Sequence, residues 1–262
     1  MSILDRFSLK GKVAVVTAGA GPLFGQSISE ALAEAGATLV TASRSLERNE
    51  AYAATLRERG LDAHGASCDL SDPPSIEGLH ADILRRFGRC DILVNSALER
   101  AGQKGGLAEQ DLDVWRAAAA GDFVGLFCIC KKFVESMAEA GGGSIINISS
   151  IYGTVSNDPM LYEGTTMKQP PTYAFVKAGM INFTRYLAAY YGRRGVRANC
   201  LSPGGFIANQ PQTFIDNYCK RAPLGRLMDH EDLQGAVVFL ASDASKYVTG
   251  TNLMVDGGWT AI

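Results

Sequence analysis

The sequence predicts a doubly wound α/β fold, a parallel sheet of about seven strands with helices on both faces. Three observations carry it. Short β-branched runs alternate with helical stretches along the whole chain, a glycine-rich turn joins the first strand to the first helix, and 262 residues suit one such unit.

Each element follows from its own pattern. VAVVT after Lys12 reads as a buried strand, and a glycine turn leads into an Ala-rich amphipathic helix over 26–35. A strand at 38–41 and a charged helix over 46–59 complete a βαβ unit. A strand at 63–68, a helix over 74–87, a strand at 91–95 and a long helix over 112–138 repeat the alternation. After a triple-glycine turn at 141–143 comes the strand SIINIS. The helix over 173–192 precedes the strand VRANCLS, and a last strand is expected at 252–255. No repeat, low-complexity tract or dividing linker interrupts 1–262, so one dinucleotide-binding domain is expected.

Composition narrows the function. Lys and Arg do not exceed Asp and Glu, and the net charge is −2. A nucleic-acid binder needs clustered basic residues in excess, so that class is set aside. No segment approaches the ~20 apolar residues of a membrane span, and the amino terminus lacks a signal-like apolar run. The six cysteines form no CxxC pair and have no companion histidines at zinc spacing, so small buried hydrophobes and no metal site are expected. Reduced thiols point to the cytoplasm.

Candidate binding residues cluster at strand ends. Gly19, Gly21 and Gly25 lie between the first strand and helix, where glycines let the backbone turn tightly and approach a pyrophosphate at a helix amino terminus. By themselves they fit a plain turn equally well. After the second strand stand Ser43 and Arg44. A carboxylate there would hold a ribose 2′-hydroxyl, whereas serine removes the charge repulsion and arginine offers a planar donor to a 2′-phosphate. NADP(H) is therefore expected over NAD(H), against the alternative of an ordinary solvated arginine. Cys68-Asp69-Leu70 after the third strand resembles the adenine-contacting aspartate of the short-chain dehydrogenases, and Asp69 otherwise caps the next helix. Asn95 follows the fourth, and either touches cofactor or stabilises its turn.

The most specific pattern is Tyr173-Ala174-Phe175-Val176-Lys177 at a helix start, with Ser149 and Ser150 at the preceding strand end. Residues four apart share a helix face, so the phenol and the ammonium point the same way. Alone, the pair also fits a surface tyrosine packed along a lysine stem. Here it follows GGSIINISS and precedes VRANCLSPGG, with the glycine loop before and TGTNLMVDGG after. In that order the five segments resemble the short-chain dehydrogenase/reductase family, a Rossmann-type fold, over essentially the whole chain.

The resemblance implies a hydride-transferring oxidoreductase that uses NADP(H) on an alcohol or carbonyl. It assigns Tyr173 as general acid and base, Lys177 to the phenol and the nicotinamide ribose, and Ser150 to the substrate oxygen. Asp122 stands where the family places an asparagine that holds a relay water. Pro203, Gly204 and Ile207 lie beside the nicotinamide. The chain departs from the pattern at Ala18, where the first glycine is usual, at Leu98 and at Ala208. These departures leave open a second reading, a cofactor-holding sensor without turnover. YEGTTMKQPPTYAFVK is similar to members encoded beside bacterial surface-sugar and flagellin-modification enzymes, which implies a sugar or polyol. From Ser150 to Tyr173 is 173 − 150 = 23 positions, so 157–171 is expected as a loop insertion, either covering substrate or serving as an inert surface or subunit contact. Phe123, Leu126, Phe127, Cys130 and Phe133 on one helix, with the family's habit of helix pairing, imply a homotetramer.

Overall fold

The computed structural model describes residues 2–99 and 105–262. Seven strands form one parallel sheet in the order β3-β2-β1-β4-β5-β6-β7. They are β1 (Val13–Thr17), β2 (Thr38–Ser43), β3 (Ala63–Ser67), β4 (Ile92–Asn95), β5 (Gly143–Ile148), β6 (Val196–Pro203) and β7 (Asn252–Val255). The order reverses at β1, which pairs with β2 on one side and β4 on the other, Val15 facing Val40 and Leu93. That reversal opens a crevice at the carboxyl ends of β1 and β4.

Side-chain alternation along the strands divides the core into two layers. Val13, Val15, Val40, Leu93 and Ile145 face α3 (Pro73–Phe87), α5 (Leu126–Glu139) and α6 (Pro171–Tyr191). Ala14, Val16, Leu39, Val94 and Ile146 face α1 (Phe24–Glu34), α2 (Leu46–Glu58) and α8 (Gln234–Ala241). Both faces are buried, which is why the strands read as continuous apolar runs. Cys68, Cys90, Cys130 and Cys200 are buried in this core, while Cys128 and Cys219 are partly exposed, and all six are free thiols. No helix among the described residues is long and apolar enough to cross a membrane.

The expected helix over 112–138 is not uniform. It comprises α4 (Leu112–Ala118), a π-helical segment (Ala119–Gly125) and α5. Within the segment the backbone is drawn against the loop after β3: a Cβ on Gly125 would stand 2.3 Å from the Leu70 carbonyl oxygen. Of the five apolar residues expected to spread around this helix, Leu126, Cys130 and Phe133 are core, and only Phe127 is exposed. Two helices were not anticipated, α7 (Gln212–Arg221) and α8. The amphipathic α7 joins residues 151–162 and Trp259 in a third apolar cluster above the sheet, with Phe214, Tyr218 and Leu161 at its centre.

Candidate active site

The crevice at the sheet reversal is a cleft of about 380 Å³. Its floor is Thr17, Ala18, Ala20 and Gly21, one end is Ser43, Arg44, Ser45 and Arg48, and the far wall includes Asp69, Ala97, Leu98, Glu99 and Asp122. Thr17 sets the floor against the wall, its hydroxyl oxygen accepting from the amides of Ser96 and Ala97 at 3.0 and 3.1 Å.

The three glycines have different surroundings. Gly21 lines the cleft. Gly19 and Gly25 instead permit close packing behind it: a Cβ on Gly19 would meet the Ser29 hydroxyl at 2.7 Å, and one on Gly25 the Ala18 carbonyl oxygen at 2.2 Å. Ala18 holds the turn at φ 53°, the left-handed region, the only residue other than glycine to do so among those described.

At the Arg44 end, the Ser43 hydroxyl is not free for a phosphate, because it donates to Asn49 Oδ1 at 2.9 Å and so braces the turn. Arg44 is mostly exposed, with a guanidinium nitrogen 3.9 Å from Glu99 Oε2 across the cleft. Arg48 and Ser45 line the same end and were missed in the sequence. Ser45 caps α2, its hydroxyl oxygen accepting from the Arg48 amide at 3.2 Å. Sequence alone gives Arg48 no mark beyond one more charge on a charged helix. Asp69 lines the cleft, and two hydrogen bonds from Ser71 hold its carboxyl below the usual range.

Asn95 does not line the cleft. It is buried behind the wall, where Nδ2 donates to Asn147 Oδ1 at 2.8 Å and ties β4 to β5. That arrangement favours its stabilising reading. Beyond β6, Gly204 admits Tyr218, whose hydroxyl a Cβ would meet at 2.7 Å. The Ile207 amide is committed to the Met228 carbonyl at 2.9 Å, which leaves its own carbonyl for a partner. Pro203 ends β6 and faces Val255.

Ser150, Tyr173 and Lys177 come together where β5 ends and α6 begins. Ser150 is buried, its hydroxyl oxygen accepting from the Tyr152 amide at 3.2 Å, and its side chain lies close to the phenol of half-buried Tyr173. The Lys177 ammonium lies 5.7 Å from the centre of the Tyr173 ring and donates to the Ile148 carbonyl at 2.6 Å. Strand end and helix are locked by Ser149, which donates to the Lys177 carbonyl at 2.9 Å, and by Gly153, whose absent side chain leaves room for that same carbonyl. Burial pulls the Lys177 pKa down to about 8, with Asp122 opposing that fall. Burial also pushes the Tyr173 phenol up, opposed by the nearby Ser150 side chain, so the phenol keeps its proton at neutral pH.

Asp122 sits in the π segment at the cleft wall. Its Oδ1 accepts from the Glu99 amide at 2.8 Å, while Oδ2 is buried without a hydrogen-bond partner in the described structure. Burial raises its pKa, opposed by that amide and by the Lys177 charge.

Known proteins resemble this chain in sequence and in fold. A family model described as enoyl-(acyl carrier protein) reductase matches residues 23–260. D-threitol dehydrogenase of Mycolicibacterium smegmatis is 37% identical over 99% of this chain and 97% of its own length. Gluconate 5-dehydrogenase of Gluconobacter oxydans is 32% identical over 99% of both chains. A crystal structure of a gluconate 5-dehydrogenase from Burkholderia cenocepacia, in complex with NADP and tartrate, superposes with a TM-score of 0.90 at 32% identity, covering 100% of each chain. Matching over this span, in sequence and in fold, the chain belongs to the short-chain dehydrogenase/reductase family.

Proposed function

We propose that the protein is an NADP(H)-linked oxidoreductase that interconverts an alcohol and a carbonyl on a polyol or sugar. The observation that carries the reading is the convergence of Ser150, Tyr173 and Lys177 beside a cleft with two arginines at one end. That cleft suits the cofactor: its floor is small residues that let a pyrophosphate approach the backbone, and Arg44, Arg48 and the Ser45 hydroxyl supply donors for a 2′-phosphate. Once bound, the nicotinamide supplies or accepts the hydride. The protein's own residues handle the proton and the developing charge. Tyr173, protonated at neutral pH, donates to the carbonyl oxygen in reduction, and as the phenolate it takes the alcohol proton in oxidation. Ser150 donates a hydrogen bond to the same oxygen as charge grows on it. Lys177, anchored on Ile148, keeps two further N–H donors for a ribose.

The relatives' names, D-threitol and gluconate 5-dehydrogenase, support a polyhydroxylated substrate. The resemblance of YEGTTMKQPPTYAFVK to enzymes of surface-sugar pathways points the same way. A sensor without turnover is less favoured, because such a role would not need the serine, phenol and ammonium held together. A cytoplasmic setting accords with six unpaired thiols, and a tetramer with the exposed apolar faces of α5 and α6.

The test follows absorbance at 340 nm for polyols, sugars, hydroxy acids and lipophilic ketones with both cofactors. Turnover is expected with NADP(H) on a polyhydroxylated member. Tyr173→Phe should fold and bind NADP(H) but lose orders of magnitude in kcat, and Arg44→Ala should weaken NADPH about ten- to a hundredfold relative to NADH. Wild-type turnover in Tyr173→Phe would refute the mechanism.

A further inference from the structure

Next to the reacting residues lies a second polar array that the proton chemistry above does not use. Tyr152, two residues after Ser150, meets the Tyr173 ring edge-on with centroids 6.4 Å apart. Its hydroxyl is 3.1 Å from that of Tyr162, and Tyr162 donates to Gln169 Oε1 at 3.3 Å. A phenol has one proton to give. Since Tyr162 gives its proton to Gln169, Tyr152 must be the donor between the two tyrosines. The Tyr152 oxygen is then left with lone pairs only, an acceptor at the head of an oriented chain. Burial raises the pKa of both phenols, so the chain keeps its protons.

The array is held firmly. Trp259 meets Tyr152 edge-on at 6.0 Å, and Phe214 packs on Tyr162 at 5.5 Å. Asn217 on α7 reaches the carbonyls of Met160, Leu161 and Glu163, which fixes the segment that carries Tyr162. Around it are Leu161, Phe214 and Trp259, all buried. Phenylalanines would fill such an apolar surrounding without the cost of sheltering polar groups. A chain of hydroxyls kept there beside the reacting phenol calls for a polar ligand.

We propose that Tyr152, Tyr162 and Gln169 form a hydroxyl-reading relay, in which the Tyr152 oxygen accepts a hydrogen bond from a second substrate hydroxyl near the one that reacts. The ligand class is a polyol or hydroxyketone, and a mono-alcohol leaves the acceptor unpaired. This deepens the proposed function and rests on it. Two of the three residues lie in the 157–171 insertion, so the insertion acts on specificity by completing the relay and not by covering substrate alone. Sites built to hydrogen-bond a hydroxyl discriminate strongly against analogues that lack it.

The experiment pairs four- to six-carbon polyols with mono-alcohols of equal length. Calorimetric titration into the Tyr173→Phe protein saturated with NADP reads binding apart from turnover. The polyol is expected to bind about tenfold or more tighter than its mono-alcohol, and adding Tyr152→Phe should remove most of that difference. With Tyr173 intact, the polyol to mono-alcohol ratio of kcat/KM should fall about tenfold in Tyr152→Phe and persist in Gln169→Glu, which retains the acceptor. A ratio unchanged in Tyr152→Phe overturns the relay and leaves the oxidoreductase reading standing. Polyols bound with a Tyr152-dependent preference, yet never oxidised by the Tyr173-intact protein, overturn that reading and leave the relay.

Discussion

Asp122 and Lys177 are buried and oppositely charged, and each holds the other nearer its ionised form. Replacing the carboxylate with an amide isolates one half of that exchange. In Asp122→Asn the side-chain carbonyl oxygen can still accept from the Glu99 amide, so folding and cofactor affinity should survive. Without the negative charge the Lys177 pKa falls below its present value, so the pH–rate profile of Asp122→Asn should move to lower pH, measured with one cofactor at constant ionic strength. Asp122→Leu removes the acceptor and should lose most activity. Superimposable profiles in both variants would take Asp122 out of the site. The sequence made Ser150, Tyr173 and Lys177 legible as candidates because residue type, spacing and order coincide there, and Asp122 only through the position where the resemblance places an asparagine. Arg48, Ser45 and Tyr152 stayed hidden, since an arginine one turn into a charged helix and a tyrosine in an irregular segment carry no periodic mark. The hold of Asn49 on the Ser43 hydroxyl stayed hidden too, because only geometry brings those two side chains together.

Among the described residues, the turn after β1 holds the one non-glycine in the left-handed region. An L-residue in the left-handed region costs roughly 1–2 kcal/mol, and Ala18 bears that cost where the family usually carries glycine. Ala18→Gly relieves it but adds about 0.4–1 kcal/mol of freedom to the unfolded chain. A net gain of about 0.5–1 kcal/mol should raise Tm by about 2 °C in a thermal scan. A Tm unchanged or lowered would show that the turn holds Ala18 without strain. Elsewhere the pattern of strands and helices could be read wherever periodicity was clean, and β7 lies where it was expected. It failed at α8, whose QGAVVFLA is apolar nearly all round, so period cannot separate a buried helix from a strand. It failed too at the π segment, since one widened turn in a long helix leaves the composition unchanged and follows from the close approach of Gly125 to Leu70.

At the scale of the molecule, the outer faces of α5 and α6 expose Phe127, Phe175, Tyr186 and Tyr190, with the last two rings stacked at 4.3 Å. An apolar surface of this kind on paired helices suits burial against a second copy. The protein should sediment as a tetramer at micromolar concentration, and a monomer boundary would refute that assembly. The division of the chain between the two ligands has a consequence in time. Every residue that lines the cofactor cleft lies between Thr17 and Asp122, whereas the residues placed on the substrate side run from Ser150 to Trp259. Synthesis delivers the first group complete before the second begins, and β1 can pair with both neighbours as soon as β4 has emerged. A nascent chain can therefore gather its dinucleotide-binding half early, while Trp259, whose ring braces Tyr152, is among the last parts to be made. The growing polypeptide lays down the phosphate end of its cofactor cleft well before it makes Lys177 or the residues placed around substrate.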